Sequence, residues 1–480
     1  MKAEIPNVLA ARYASAAMTD LWSPAGKVRL ERRFWVEVMD AQRRLGVDIP
    51  EEVVEDYRAV VDKVDLDSIE ARERVTKHDV KARIDEFCAL AGHEHVHKGL
   101  TSRDLTENVE QLQIRDALAL VRDRMVAAAA RLARLASAHS TTPITARTHN
   151  VPAQVTTLGK RFANAGEELL EAFRRVEGLL DRYPLRGLKG PVGTQADQLE
   201  LLGGDLSRLD QLERTVASEL GFGRILTNVG QVYPRSLDLD VVSALLQAVS
   251  GPADLALTIR LMAGHDLVTE GFGPGQVGSS AMPHKTNPRS SERIAGLTMV
   301  LRGHLTMVGG LAGDQWNEGD VSCSVVRRVA LPDAFLATDG LFETFLTVLD
   351  NFAAFPAMIE RELARELPFL ATSRMLLALV DAGLGREQAH EVVREHALAA
   401  TRARREVADG AGPGLGDDLI ADLAGDGRVL LSEEALRQAV AQPLEHAGAA
   451  RRQVAEFVKQ VEAVVARHPE AAGYVPAEII

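Results

Sequence analysis

ENVEQLQIRDALALVRDRMVAAAARLARLASAHS, residues 107–140, decides the fold class. Apolar residues return at i, i+3, i+4 and i+7 from one end of it to the other, the period of a long amphipathic helix. The same period runs through QVTTLGKRFANAGEELLEAFRRVEGLLDRY (154–183), LDLDVVSALLQAV (237–249), ADLALTIRLMAGHDLV (253–268) and RSSERIAGLTMVLRGHLTMVGGLAG (289–313). Strand-like alternation is nearly absent, so an all-α fold is predicted. Helices of this length, with many Ala, Leu and Gly positions for close approach, form an elongated bundle. Their apolar faces exceed what one chain covers, and oligomerisation is expected.

Outward from these helices, two punctuated regions set boundaries. GHEHVHKGLTS (92–102) precedes the first long helix, and NFAAFPAMIERELARELPFL (351–370) follows the last. The expected division is 1–101, an N-terminal helical unit; 102–355, the long-helix bundle; and 356–480, a C-terminal helical unit in which ADGAGPGLGDD (408–418) interrupts the helices. Three units suit a chain of 480 residues, which is too long for one compact core.

Lys and Arg total 55 against 68 Asp and Glu, a net charge of −13, which argues against general binding to nucleic acid or membrane surfaces, both polyanionic. An anionic small ligand then needs a local cationic pocket. Cys88 and Cys323 are far apart and fit no metal or CxxC spacing, which implies a reducing compartment and plain core roles. No apolar leader opens the sequence and no run of about 18 uncharged apolar residues occurs, so a cytoplasmic protein is expected.

Three stretches carry possible chemistry. Gly273-Pro274-Gly275-Gln276-Val277-Gly278 fits G-x-G-x-x-G, but a helix rather than a strand precedes it and Pro274 sits in the turn, which opposes dinucleotide binding. His93-Glu94-His95-Val96-His97 fits H-E-x-x-H. Gly92 and Gly99 leave too few residues for the helical turn a zinc site needs, so an exposed polar loop is favoured over a zinc hydrolase. The third stretch is GPGQVGSSAMPHKTNPRSSER (273–293), a polar, cation-bearing loop between two helical stretches. Asn287 and Pro288 there read as N-cap and first helical residue, placing free N–H groups at a helix start beside Lys285 and His284. A solvated connector is the plain alternative, but two further clusters, Arg147-Thr148-His149-Asn150 and Lys77-His78-Asp79 with Thr101-Ser102, weigh against it.

GSSAMPHKTNP (278–288) resembles the signature loop of the fumarase, aspartase and argininosuccinate lyase superfamily. Within it, RYAS (12–15), KHDV (77–80), HKGLTS (97–102), THNVPAQVTTLGKR (148–161), LRGLKGPVGT (185–194), GQVYPRSLD (230–238), the QW and RR pairs of 315–328 and ELPFLAT (366–372) are similar to the adenylosuccinate lyases. The resemblance implies a three-domain all-α fold, a homotetramer built on a twenty-helix core with active sites shared between subunits, and no metal or organic cofactor. It implies release of fumarate from adenylosuccinate, giving AMP, and from SAICAR, giving AICAR. The alternatives are another superfamily lyase acting on a succinyl-amine such as argininosuccinate, and a non-catalytic helical scaffold.

The same resemblance implies residue roles. Ser279 is general base, His149 general acid, Glu292 the carboxylate that partners that histidine, and Lys285 a stabiliser of the charge that develops on proton abstraction. Lys77, His78, Asp79, His97, Thr101, Ser102, Thr148, Gln231, Ser280, Met282, Asn287 and Arg293 match substrate-binding positions. Arg12, Tyr13, Ser324 and Arg328 surround the nucleotide phosphate. Gly319 stands where many members carry an arginine, and Arg103 or Arg327 is the expected replacement.

Overall fold

A computed structural model describes residues 5–271, 281–282, 284–406 and 417–478, without the side chains of 406, 417 and 418. The N-terminal helices are α1 (Val8–Arg12), α2 (Ala16–Trp22), α3 (Pro24–Arg44), α4 (Glu51–Ala59), α5 (Leu66–Thr76) and α6 (Asp79–Ala91). Then come α7 (Ser102–Ala138), a hairpin of β1 (Pro143–Thr148) and β2 (Val151–Thr157), α8 (Leu158–Arg182), α9 (Ala196–Leu201), α10 (Leu206–Glu219), α11 (Ser236–Ala248) and α12 (Ser250–Gly264). The short strand β3 (Val268–Thr269) leads to α13 (Arg289–Gly309) and α14 (Cys323–Asn351), after which β4 (Ala353–Ala354) pairs antiparallel with β3. The chain ends in α15 (Pro356–Leu370), α16 (Thr372–Asp381), α17 (Arg386–Glu406), α18 (Asp417–Gly425), α19 (Glu433–Val440), a 3-10 turn (Pro443–Ala447), α20 (Ala450–Arg467) and α21 (Pro469–Ala472).

The 37-residue α7 is the axis. Leu112, Ile114, Leu118, Val121, Val126, Ala128 and Leu132 are all fully buried, so apolar contact surrounds it rather than lining one face. Helices α3, α8, α14 and α20 pack around it. Helix α14 runs parallel to α7: Arg327 pairs with Glu110 near their starts, Arg124 with Glu343 at 2.9 Å midway, and Arg131 with Asp350 at 2.9 Å near their ends. A separate apolar cluster spanning Ala371 to Val440 holds α16 to α19 together. Helix α20 leaves that cluster, placing Val454, Phe457 and Val461 in the main core.

Two local expectations are corrected. Helix α8 begins at Leu158 and not at 154, because 143–157 forms the hairpin. His149 (φ 53°) and Asn150 (φ 61°) both occupy the left-handed region, as the two-residue turn matching the twist of paired strands demands. The stretch Ser236–Gly264 is long and apolar enough, by length and composition, to cross a membrane. In the fold it packs against α8 and α13, and Val241, Val242, Leu245, Leu255 and Ile259 are core residues.

Candidate functional site

The start of α7 is built around one carboxylate. Asp104 is fully buried and accepts hydrogen bonds from the Thr101 N–H (2.9 Å), the Lys189 and Gly190 N–H groups (both 2.9 Å) and the Arg186 guanidinium (2.7 Å). It thereby fixes Thr101 and Ser102 at the helix start and fastens the 185–194 loop to them. A buried carboxylate is tolerated because every contact is a donor and one is a cation. His97 lies just before this start with φ 69°. Its Nδ1 accepts the indole N–H of Trp35 at 3.1 Å, and burial lowers its pKa to about 4. His78 caps α6, its Nδ1 accepting the Lys81 N–H at 3.3 Å, with its ring exposed. Asp79 is drawn to Arg83 at 2.9 Å and Lys77 ends α5 in the left-handed conformation. His78 and Asp104 both act electrostatically on His97, so KHDV and HKGLTS do converge.

The H-E-x-x-H stretch is not one site. His93 turns to Asp56 (2.8 Å), His95 to Lys98 (3.0 Å) and His97 to Trp35, and no metal-holding cluster of His, Cys, Asp or Glu occurs among the described residues. The glycine-rich 273–278 match lies outside the described residues.

Beside the same end of α7, the Gln231 N–H donates to the Glu318 carbonyl at 2.6 Å and Arg186 reaches the Gly230 carbonyl at 3.0 Å. This joins Gln231 to the turn that leads into α14, where Ser324 and the exposed Arg328 stand on the first turns. Of the two expected replacements for the missing arginine, Arg327 is engaged elsewhere, whereas Arg103 stands near enough to the 319–320 turn to act electrostatically on Asp320. Arg327 is buried and bound to Asp238 (2.7 Å) and Glu110, and Arg103 pairs with Glu107 at 3.1 Å. Gly319 itself has φ 125°, a conformation L side chains rarely adopt, and an added Cβ would stand 3.0 Å from Val232 Cγ2. Glycine is what this backbone requires, so the position is not an arginine site with its side chain removed.

A second group forms around α13. The Arg293 guanidinium lies over the Tyr13 ring, 5.2 Å from its centroid, and Arg12 and Arg289 are close enough to lower the Arg293 pKa further after burial has done so. Tyr13 packs on Gly340 of α14, where an added Cβ would sit 2.7 Å from the Tyr13 Cβ and 2.9 Å from its carbonyl carbon. Helix α13 begins at Arg289 after Pro288, not at Pro288 after Asn287 as the sequence suggested. Its free N–H groups are not open to an external anion. The Glu270 carboxylate accepts from the Ser290 N–H (2.7 Å), the Ser291 N–H (2.8 Å) and the Ser291 hydroxyl (2.7 Å). Glu292 is half-exposed and lies 3.9 Å from Arg260. Met282 and Lys285 are exposed, with the Lys285 N–H closing a turn onto the Met282 carbonyl, and Asn287 is partly buried. Ser279 and Ser280 lie outside the described residues.

The third group is the hairpin tip. Thr148, His149, Asn150 and Val151 are all exposed. The base of the hairpin is tied to the end of α7, where the Leu158 N–H donates to Thr142 and the Gly159 N–H to His139, both at 2.9 Å.

One chain does not bring these groups together. At 1.5 Å per residue, the 37 residues of α7 separate Ser102 from His139 by roughly 55 Å. The hairpin arm reaches back at most about 23 Å, leaving about 30 Å between His149 and the Thr101–Ser102–His97 group. The expected phosphate quartet is likewise divided. Tyr13 sits at Gly340, roughly 18 Å along α14 from Arg328 and roughly 24 Å from Ser324. Sequence reasoning passed over Asp104, Arg186, Trp35 and Glu270. The Thr-x-x-Asp spacing of Thr101 and Asp104 was a capping-box signal available from the sequence. Nothing local marks the other three.

Comparison with known proteins follows the same lines. Residues 27–303 match a family model described as Lyase, and residues 368–457 match one described as Adenylosuccinate lyase C-terminus. The chain is 35% identical over 393 residues to an adenylosuccinate lyase of Saccharomyces cerevisiae, covering 80% of this chain and 81% of that one. It is 34% identical over 398 residues to one of Schistosoma mansoni, covering 82% and 83%. Among solved structures, a fumarate lyase from Mesorhizobium sp. BNC1 superposes with TM-score 0.78 at 23% identity over 93% of this chain and 98% of that one. The 3-carboxy-cis,cis-muconate lactonizing enzyme of Pseudomonas putida superposes with TM-score 0.80 at 21% identity over 95% and 99%, so the fold is shared.

Proposed function

The chain belongs to the adenylosuccinate lyase family, and on that premise we propose that it releases fumarate from adenylosuccinate and from SAICAR at sites completed by more than one copy of the chain. It is a fumarate-releasing C–N lyase. The reaction removes a proton from the carbon beside a carboxylate and protonates the departing nitrogen. In this reading Ser279 takes the proton and Lys285 stabilises the charge that accumulates. His149 donates to nitrogen, with Glu292 supporting its protonated form. A serine is a weak base in water, so Ser279 needs nearby N–H and cationic groups that favour its alkoxide.

The observation that carries the shared-site reading is the placement of His149 and of the Thr101–Ser102–His97 group at opposite ends of α7. Exposed apolar side chains support it: Leu257, Met299, Met307, Val325 and Val329 on α12, α13 and α14. Five such side chains on three neighbouring helices favour burial against further copies. We assign a homotetramer on these grounds, AMP biosynthesis as its setting, and the cytoplasm as its compartment, where the free thiols of Cys88 and Cys323 stay reduced. For the three-unit division at 101/102 and 355/356, the separate Ala371–Val440 cluster supports a C-terminal unit, while the N-terminal helices and α20 share the main core with α7.

The decisive experiment follows purine absorbance with adenylosuccinate and, separately, SAICAR, together with fumarate release from argininosuccinate. Turnover of the two purine substrates is expected. Fumarate from argininosuccinate alone would replace this reading with the other lyase.

A further inference from the structure

A cavity of about 200 Å³ opens along the hairpin that carries His149, from Thr145 to Asn150 at its turn, beside α8 and the end of α12. Thr145, Arg147, Asn150, Arg161, Thr258 and His265 give it its polar wall, and Leu261, Met262 and Leu267 its apolar one. Its charges do not balance. Arg147 is committed to Glu362. Arg161 is partly buried, yet its guanidinium contacts only the Thr145 carbonyl (3.2 Å) and the Met262 sulfur (3.2 Å), neither of which carries charge. Burial and the neighbouring Arg147 both lower its pKa, while Glu362 raises it. Two guanidinium groups thus share one carboxylate. A buried cation without a charged partner is costly, and the cost disappears when an anion enters. A second feature points the same way. The Thr145 hydroxyl, on a side chain only 3% exposed, has no hydrogen-bond partner. A buried hydroxyl in that state calls for an acceptor.

We propose that this cavity binds a small oxyanion, a carboxylate or a phosphate, held by Arg161 and Arg147 and accepting the Thr145 hydroxyl. Guanidinium forks and a hydroxyl donor are the groups that recognise such oxygens. The occupant ties β1 to α8, and therefore stiffens the arm on which Thr148 and His149 are presented. None of the assigned lyase residues lines the cavity, although Arg147 and Asn150 flank Thr148 and His149 in the chain. Its ligand comes from the surrounding solution, as free phosphate or as a dicarboxylate of the kind the lyase releases.

The test uses the intact enzyme without turnover, so it stands whether or not the lyase reading does. Melting temperature is measured against inorganic phosphate, succinate and chloride at matched ionic strength, for the parent and for Arg161→Met. Anions bound at the reaction site raise both proteins alike; the cavity contributes the difference between them. The expected result is a saturable rise with phosphate or succinate, beyond that with chloride, which Arg161→Met loses in part. The more effective of the two anions identifies the source. Amide exchange at 147–151 should slow with the same anion in the parent and not in the variant. Should Arg161→Met fail to fold, Thr145→Val, which removes only the orphan hydroxyl, should shift the midpoint of the rise to several-fold higher anion. An absent anion-specific rise, or a rise unchanged in the folded variants, overturns the proposal.

Discussion

The indole N–H of Trp35 points at Nδ1 of His97 from 3.1 Å, and the two rings stand edge to face with centroids 6.0 Å apart. Nδ1 is therefore an acceptor, and a neutral imidazole whose Nδ1 accepts carries its proton on Nε2. Trp35, 1% exposed on α3, fixes the tautomer of a histidine beside the start of α7. The ring is kept as a neutral N–H donor rather than a cation.

Trp35→Phe keeps an aromatic ring but removes that donor. One neutral hydrogen bond contributes about 1 kcal/mol, so kcat/KM should fall roughly five- to tenfold if His97 meets the substrate through Nε2–H. Steady-state kinetics on the soluble variant decide this. Unchanged constants would remove Trp35 from the machinery.

The depressed pKa of His97 also makes stability depend on acid. The unfolded chain takes up a proton near pH 6.5, whereas the folded ring holds out to about 4 because burial outweighs the pull of Asp104, with His78 acting in the same direction as burial. Between those values the unfolded state binds more protons, so stability falls as pH drops through the window and is fully present above it. The contribution is at most roughly 3 kcal/mol. Denaturant melts at pH 7 and pH 5 should show a smaller difference in His97→Gln than in the parent.

Glu270 caps α13 in place of any solvent anion, and three donors depend on it. Glu270→Ala leaves the Ser290 and Ser291 N–H groups unpaired at a partly buried helix start, a loss of about 1–3 kcal/mol. The first turn of α13 carries Glu292 and Arg293, so fraying there should lower kcat as well as melting temperature. Amide exchange over 289–293 should accelerate while α7 keeps its protection. Equal exchange in both proteins would mean that the turn holds without its cap.

What was legible in the sequence follows from the range of the interactions. The helices of residues 107–140 and 237–268 announce themselves because burial recurs along one continuous segment at a fixed period. The hairpin did not: its strands are short, its turn is set by left-handed His149 and Asn150, and the apolar neighbours of QVTT continue smoothly into α8. Pro288 and Asn287 gave a correct helix start to within a residue or two, but the anion at that start is Glu270, at least twenty residues upstream of the N–H groups it caps, and no local pattern names it. The residues around GSSAMPHKTNP were found by resemblance. Their division between subunits was likewise implied by the resemblance, and the length of α7 and the parallel course of α14 give the distances within one chain.

That division yields the last prediction. His97 stands before the first residue of α7 and His149 beyond its last, with about 30 Å between them even when the hairpin arm is allowed its full reach. If both serve one reaction, they come from different chains. His97→Gln and His149→Gln enzymes should each have low turnover, roughly a hundredfold or more below the parent for the acid His149. Dissociating, mixing and reassembling the two in equal amounts lets a site draw intact His97 from one variant and intact His149 from the other. Each contributing chain is the correct one half the time, so up to about a quarter of the sites should regain parental turnover. No new contact forms, and the gain depends only on which copies meet. Size-exclusion chromatography with light scattering reports whether mixed oligomers formed. If they form and remain as slow as their parents, His97 and His149 do not share a site; a monomeric protein with full activity would require one chain to span a gap that α7 holds open.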